Sequence, residues 1–272
     1  MTKSVYTIEA SDLKGYDNAA VFPTFQCTLA CPDCSAKAGK TNGSPVMTID
    51  DIETIYRRLK EQNVRLKHLR FSGGEPTLWP HLKYAIQRAK ELNITGKVIV
   101  FSNGLNRSAD DYGMADLVRV THYGAMNRRS ILRLRKELGR KLKVSWTVHI
   151  PYDVEIDAVG DLPAKCGSRS LCFAHGKVYP CCYTAVNGIG GFEVKDNFYA
   201  LCCNSRANEQ EICRKCWANP SLFRQIATPL TAEIGIWESP YGGFLSLPWR
   251  FVWLRRFLAK RYVRRWFCGR SL

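Results

Sequence analysis

Three cysteines constrain this chain more than any other sequence feature, because they stand close together directly after an apolar run. Cys27, Cys31 and Cys34 form a C-x3-C-x2-C array behind the apolar residues 19–25. The thiols would lie in a loop at the carboxyl end of a buried strand. Three thiolates can ligate three irons of a cubane 4Fe-4S cluster and leave the fourth iron open. A zinc site is the alternative, although structural zinc usually shows two C-x2-C pairs or nearby histidines.

A second short motif follows farther along the chain, where HLRFSGGEP occupies residues 68–76. The segment predicts a short strand that ends in Gly73, Gly74 and Glu75. Glycines allow a ligand to approach the backbone, and a Glu carboxylate can accept hydrogen bonds from an ammonium group.

In this order, the two motifs resemble the radical S-adenosylmethionine (radical SAM) superfamily. The resemblance implies that Cys27, Cys31 and Cys34 hold a 4Fe-4S cluster whose open iron is chelated by the methionine part of S-adenosylmethionine (SAM). It also implies that Gly73–Glu75, the GGE loop, binds the amino group of SAM. In the family the residue before the third cysteine is usually aromatic, whereas this chain has Asp33, which leaves adenine packing open.

Strand and helix patterns alternate through the first half of the chain. Strands are predicted at 19–25, 66–72, 97–101, 117–121 and 144–150, and helices begin near Thr48, near Trp79 and before Ile131. A capping-box pattern over 48–51 opens the first helix. Apolar residues recur at helical spacing in all three helices: Ile52, Ile55, Tyr56, Leu59, Leu82, Ala85, Ile86, Ala89, Ile131, Leu134 and Leu138. Such alternation predicts an α/β fold with right-handed βαβ units and a parallel sheet. Only about fifteen residues separate Ile150 from Cys166, which is too few for another helix and strand. The expected fold is therefore a shortened, partial parallel (β/α) barrel.

Two strand ends carry further candidate cofactor contacts. Ser102-Asn103-Gly104 resembles the family's Thr-Asn-Gly near the cofactor, and Thr121 ends the next predicted strand. Ser102 and Thr121 are therefore candidate cofactor contacts, and ordinary polar strand ends are the equally open alternative.

A second group of cysteines begins at Cys166. The spacing Cys166-x9-Gly176-x4-Cys181 resembles the auxiliary-cluster signature of SPASM and twitch domains, with a hairpin turn at Gly176. Together with Cys213 and Cys216, this resemblance implies an auxiliary 4Fe-4S cluster on four ligands. The longer cysteine series of a full SPASM domain is missing, so a single-cluster, twitch-like domain is expected. A zinc ribbon is the alternative.

The other cysteines of this region allow three interpretations. Cys172 and Cys182 are fallback ligands of the auxiliary cluster. Cys182 and Cys203 are candidate hydrogen-atom donors to a substrate radical, as in related sugar epimerases. Each of these thiols is otherwise explained as a small buried side chain.

The charge is concentrated at the carboxyl end. The net charge is +16, and residues 249–272 contribute eight basic residues and no acidic one. Residues 249–267 separate apolar and basic side chains onto opposite arcs, which predicts a basic amphipathic helix suited to an anionic membrane surface. A terminal helix packed on the barrel is the alternative. Nucleic acid is disfavoured, because the aromatic residues fall on the apolar arc.

The expected organisation has three parts: a barrel over 1–152, an auxiliary-cluster domain over 153–225 and an extension over 226–272. The first residues contain no apolar export signal, and no stretch reaches the ~20 apolar residues that span a bilayer. The sequence therefore predicts a cytoplasmic protein, with peripheral attachment to the inner face of the membrane through the tail.

The family resemblance implies a radical SAM oxidoreductase or epimerase that takes electrons from a donor such as flavodoxin or ferredoxin. The first hypothesis for its substrate is a carbohydrate or lipid-linked glycan that undergoes dehydrogenation or epimerisation. The second is a peptide maturase, although few residues precede the barrel to form a leader-binding domain. The third is a non-catalytic, zinc-bearing nucleic-acid-binding protein, which leaves the GGE loop unexplained.

Overall fold

The structure, a computed structural model, describes residues 16–31, 34, 36–39, 45–123, 125–146, 170–195 and 197–207. The predictions that rest on Asp33, Cys166, Cys213, Cys216 and the helix at 249–267 concern residues outside these ranges.

Strands and helices alternate up to residue 146, as predicted. The strands are β1 (Asn18–Thr24), β2 (His68–Gly73), β3 (Val98–Ser102), β4 (Leu117–His122) and β5 (Leu142–Trp146). The helices are α1 (Ile49–Glu61), α2 (Leu82–Glu91) and α3 (Ala125–Leu138). Short 3-10 turns lie at Pro76–Leu78, Ala109–Tyr112 and Gly139–Lys141. The second cysteine region forms β6 (Ser170–Ala174), β7 (Lys177–Tyr179), α4 (Cys182–Asn187), β8 (Phe192–Glu193) and α5 (Phe198–Ala207).

All of these strands belong to one open sheet with the order β5-β4-β3-β2-β1-β6-β7-β8. The pairs from β5 to β6 are parallel, and β7 and β8 add antiparallel strands at one edge. The α/β partial barrel is therefore confirmed.

The position of β6 differs from the expectation. The interval between Ile150 and Cys166 was expected to leave no space for a sixth parallel strand, but that strand comes directly afterwards. Ala20 of β1 pairs in parallel with Cys172 of β6. A parallel crossover needs about a dozen residues, and more than that number separates β5 from β6. The first arm of the hairpin predicted around Gly176 thus extends the barrel sheet.

Helices α1, α2 and α3 pack on one face of the sheet. Helix α1 begins at a capping box between Thr48 and Asp51, as the sequence predicts. The apolar rows predicted for the helices are buried except for Leu138, which is partly buried and packs against the core. The buried members are Ile52, Ile55, Tyr56, Leu59, Leu82, Ala85, Ile86, Ala89, Ile131 and Leu134. They meet the alternate strand residues Ala19, Val21, Leu69, Phe71, Val98, Val100, Val118 and Val120 in one core.

The opposite face of the sheet, away from α1–α3, is called the inner face here. It is formed by the intervening strand residues, which include Ala20, Phe22, Arg70, Ile99 and Cys172. Helix α4 packs against β6 and β7 on this face, where Ala185 joins a smaller apolar cluster with Ala20 and Phe22. Within the described part of the chain, no helix has the length and apolarity needed to cross a membrane.

Candidate metal centre and cofactor site

The loop after β1 carries the three predicted cluster thiols, and all three are partly exposed. The backbone N–H of Leu29 donates to Cys27 Sγ at 3.4 Å, and that of Ala38 donates to Cys34 Sγ at 3.4 Å. Hydrogen bonds to sulfur stabilise the thiolate form, and they are one of the means by which proteins adjust iron-sulfur clusters. Two of the three sulfurs therefore already have a backbone N–H donor that would favour their thiolate form.

The thiols influence one another. Burial raises the pKa of Cys27, against the hydrogen bond from Leu29. Burial and the neighbouring Cys34 and Cys27 raise the pKa of Cys31, against a hydrogen bond from the Tyr123 side chain. A bound cation reverses this effect, because a metal stabilises the thiolate. The donor set therefore fits a metal group.

The spacing of the thiols bears on which metal group they fit. No three Cys, His, Asp or Glu side chains within the described ranges converge on a single metal ion. A tetrahedral zinc site requires such convergence. In a cubane cluster each cysteine binds a different iron, so such a cluster does not require three side chains to converge on one ion.

The GGE loop lies directly against the start of the cysteine loop. The N–H of Gly74 donates to Thr24 O at 2.8 Å, and the N–H of Glu75 donates to Gln26 O at 2.8 Å. A Cβ at Gly74 would stand 2.1 Å from Gln26 O, and Gly73 has a φ of +99°. The sequence suggested that these glycines admit a ligand. In the structure, the backbone at the end of β1 and just after it lies directly against Gly73 and Gly74, where a side chain would not fit. This contact joins the two motifs.

The Glu75 carboxylate is buried and hydrogen-bonded. Its Oε1 accepts from Ser102 Oγ at 2.9 Å and from Thr77 Oγ1 at 2.7 Å. Its Oε2 accepts from the N–H of Asn103 at 2.7 Å. Glu75 therefore fastens the end of β3 to the loop after β2.

Ser102 and Thr121 lie at the strand ends predicted for them. The Ser102 hydroxyl also shares a hydrogen bond with Tyr112 and accepts from Gly104 N at 2.9 Å. The Thr121 carbonyl accepts from Asn127 Nδ2 at 2.7 Å. The structure thus gives Ser102 a role in joining strand ends, and cofactor contact by either residue stays a prediction.

Two asparagines belong to the site although the sequence did not single them out. Asn103 Nδ2 donates to Thr28 Oγ1 at 3.0 Å and reaches Cys27 Sγ at 3.7 Å. Asn127 is fully buried in α3, and its Nδ2 donates to Asn103 O at 2.7 Å. The Ser-Asn-Gly motif could have indicated Asn103. No local signal marks Asn127, since its partners are brought to it by the fold.

The second cysteine region contacts the cysteine loop. The ring of His175, in the turn between β6 and β7, stacks on Phe25 with centroids 4.7 Å apart. Lys37 Nζ in the cysteine loop donates to Asn187 Oδ1 in α4 at 2.9 Å. The two cysteine regions are therefore neighbours.

The cysteines at the start of α4 differ in their surroundings. Cys181 precedes α4, and its Sγ accepts from Thr184 N at 3.4 Å. A hydrogen bond from Cys172 lowers the pKa of Cys182 despite its burial, and burial is the main cause that raises the pKa of Cys172. Cys203 falls in α5. Of the four predicted auxiliary ligands, only Cys181 lies in the described ranges.

Comparison with known proteins agrees with this geometry. Residues 21–144 match the family model of the Radical SAM superfamily. The PqqA peptide cyclase of Methylorubrum extorquens is 24% identical over 179 residues, which cover 59% of this chain and 46% of the cyclase. The 7,8-dihydro-6-hydroxymethylpterin dimethyltransferase of Methanocaldococcus jannaschii is 28% identical over 89 residues, 33% of this chain and 17% of the relative. The chain thus spans about half the length of the cyclase and less of the dimethyltransferase.

Among solved structures, BtrN in complex with AdoMet and 2-DOIA has the same fold. It superposes with a TM-score of 0.56 at 17% identity, over 82% of this chain and 92% of BtrN. At this identity the likeness concerns the fold.

Proposed function

We propose that Cys27, Cys31 and Cys34 hold a 4Fe-4S cluster and that SAM binds beside the GGE loop, because residues 21–144 match the Radical SAM family model. When bound, the cluster and SAM supply one-electron reductive cleavage to a 5′-deoxyadenosyl radical, which removes a hydrogen atom from an unreactive C–H bond. The hydrogen bond from Glu75 N to Gln26 O, 2.8 Å long, carries this proposal, because it holds the GGE loop against the cysteine loop.

Each polar group at this edge of the sheet has a role in the proposal. Leu29 N–H and Ala38 N–H stabilise two of the thiolates. Asn103 orients the Cys27 side of the loop through Thr28. Glu75 Oε2 accepts a single hydrogen bond from within the described residues, and a carboxylate oxygen has a second lone pair for the amino group of SAM. Glu75 thus serves both the fold and the cofactor.

The auxiliary 4Fe-4S cluster is assigned to Cys166, Cys181, Cys213 and Cys216 in this proposal. Cys181 supports it, because its thiol is partly exposed and receives a backbone hydrogen bond at the start of α4. Cys172 is buried against Cys182, which suits these two less well as ligands. Cys182 stays a candidate hydrogen-atom donor, together with Cys203.

The proposed reaction is dehydrogenation or epimerisation of a carbohydrate or lipid-linked glycan. The compact arrangement supports it: β6 joins the barrel sheet directly, and the inner face is bounded by α4. Peptide modification is the second candidate, favoured by the similarity to PqqA peptide cyclase. The match to the Radical SAM family model weighs against a non-catalytic zinc protein. An electron donor such as flavodoxin or ferredoxin is the expected partner.

The test is Cys27→Ala in anaerobically reconstituted, full-length protein. The variant should lose about four irons per chain and form no 5′-deoxyadenosine with dithionite. Cys268→Ala, which changes an unassigned cysteine, serves as the control and should retain both. Normal 5′-deoxyadenosine formation by Cys27→Ala would refute the assignment. Cys213→Ala separates the two clusters, since it should lose iron yet still cleave SAM.

A further inference from the structure

The inner face contains a half-buried arginine, Arg70, whose buried Nε has no hydrogen-bond acceptor among the described residues. Arg70 lies in β2 between Leu69 and Phe71, both of which are buried on the helix-covered face. Successive side chains of a strand point to opposite faces, so Arg70 points to the inner face. Its Nε is buried, and no described residue accepts a hydrogen bond from it.

Within the described ranges, no carboxylate lies beside Arg70, and the Cys182 thiol is the one acidic group that interacts with its charge. In the sheet it pairs with Ala20 on one side and Ile99 on the other, and Cys172 follows Ala20 on β6. Burial lowers the pKa of Arg70, and only Cys182 opposes this effect. Glu75, the buried acid nearest in sequence, is already engaged with Ser102 and Asn103.

A buried guanidinium N–H that lacks an acceptor costs stability, even where the rest of the side chain is partly exposed. Groups of this kind are tolerated where function needs them. A second arginine of the inner face, Arg119, is placed differently, since its guanidinium lies over the Phe101 ring at 5.3 Å. Within the described part of the inner face, Arg70 is therefore the position at which an anion from outside would gain an unused hydrogen-bond donor.

We propose that Arg70 binds a carboxylate of the substrate, which makes the substrate a sugar acid. This inference rests on the proposed function, in which the substrate occupies the inner face. Arg70 stands four residues before Gly74, roughly 13 Å along an extended strand. The carboxylate would thus be an anchor remote from the C–H bond that reacts.

A carboxylate fits this position better than a phosphate does. The planar guanidinium pairs with a carboxylate through two parallel hydrogen bonds. One positive charge balances the single charge of a carboxylate, whereas a phosphate monoester carries nearly two. Ala20, Ile99 and Cys172 supply neither a further cation nor a strong hydrogen-bond donor.

The first measurement is thermal unfolding of full-length, cluster-reconstituted protein at constant ionic strength. Saturating acetate should raise the Tm of the wild type by about 2–4 °C over chloride, and phosphate should raise it less. Arg70→Gln should raise the Tm in chloride and abolish the response to acetate. The control is Arg57→Gln, an exposed arginine of α1, which should respond like the wild type.

If Arg70 instead stabilises the fold, Arg70→Gln should lower the Tm in chloride. A lower Tm for Arg70→Gln in chloride, or an undiminished response to acetate, would overturn the proposal. If Arg70→Gln does not fold, phenylglyoxal modification of the wild type decides. Acetate at ten times its Kd should slow modification of Arg70 about tenfold and leave Arg57 unchanged, and absence of protection would overturn the proposal.

Two further probes distinguish the source of the carboxylate. A larger increase in Tm with D-glucuronate than with N-acetyl-L-glutamate supports a sugar acid as the substrate. A larger increase with N-acetyl-L-glutamate would overturn the sugar acid and indicate an acidic peptide residue. The test is independent of SAM cleavage. If the protein cleaves SAM but does not bind carboxylates, only the inference about Arg70 is wrong. If it binds acetate at Arg70 but forms no 5′-deoxyadenosine, the proposed function is wrong.

Discussion

At the scale of single residues, Glu75 shows why a motif glutamate can be indispensable before any cofactor binds. Glu75 is 1% exposed, and its carboxylate accepts hydrogen bonds from Ser102, Thr77 and Asn103. All three donors would lose this acceptor if the carboxylate were lost.

We therefore expect Glu75→Gln to destabilise the protein by about 1–3 kcal/mol. Both carboxylate oxygens accept hydrogen bonds, so the amide NH2 of the glutamine would face at least one of these donors, and that hydrogen bond would be lost. Urea unfolding of the cluster-free protein measures the effect. The control is Glu61→Gln, because Glu61 is exposed and pairs with Arg58 on the surface of α1; its cost should stay below about 1 kcal/mol. Equal stability of Glu75→Gln and wild type would contradict the structural role.

At the scale of elements, the contact between the loops after β1 and β2 depends on the glycine at position 74. Gly74→Ala places a Cβ against Gln26 O, a backbone atom that cannot turn away. The GGE loop must then move from the cysteine loop, so we expect lower iron incorporation and at least about tenfold less 5′-deoxyadenosine. Gly96→Ala is the matched control, because its Cβ would have ordinary contacts at 3.4 Å. Full iron content and activity in Gly74→Ala would show that the loop contact is dispensable.

Asp116 connects a helix to a strand of the barrel. Its Oδ1 accepts from Lys90 of α2 at 2.6 Å, and its Oδ2 accepts from Val98 N of β3 at 2.8 Å. Burial raises the pKa of Asp116, but these two partners outweigh it and hold the pKa below its usual range.

A lowered pKa in the folded state means stabilisation above the unfolded pKa, about 3.9, and its loss as the pH falls through the folded value. Asp116→Asn should therefore cost about 1 kcal/mol at pH 7, and the difference from wild type should shrink below about pH 4. Urea unfolding across this range checks it. A difference that does not change with pH would mean that the charge of Asp116 is irrelevant.

The elements that could be predicted from sequence are those with local signals. The capping box at Thr48 and the apolar rows of α1 and α2 were identified correctly, because helix periodicity and capping depend on neighbours along the chain. The fifth strand is predicted to begin at 144, whereas β5 begins at Leu142, since strand ends have weak signals; residues 147–150 lie outside the described ranges. The pairing of β6 with β1 and the role of Asn127 join residues far apart in sequence, so no local pattern revealed them.

At the scale of the whole molecule, the basic residues are concentrated in two segments of the chain. Residues 249–272 hold eight basic residues, and residues 126–143, in α3 and the start of β5, hold eight more with one acidic residue. Many of the latter are exposed, among them Arg128, Arg129, Arg133 and Lys136.

Deletion of residues 249–272 should weaken sedimentation with anionic liposomes at least about tenfold, because each basic residue near such a surface contributes ~1 kcal/mol. Some binding should persist through α3, and SAM cleavage should be intact. Neutral liposomes are the control. Unchanged sedimentation with anionic vesicles would remove the membrane hypothesis.

The placement of β1 between β2 and β6 also has a consequence for synthesis. As the chain leaves the ribosome, β1 can pair early with β2, but its other edge stays open until residue 170 has emerged. Pairing over so long a loop is slow, and an open apolar edge invites aggregation. Fragments that end at residue 146 should therefore be prone to misassembly, and chaperone capture of nascent chains should decline once β6 has emerged.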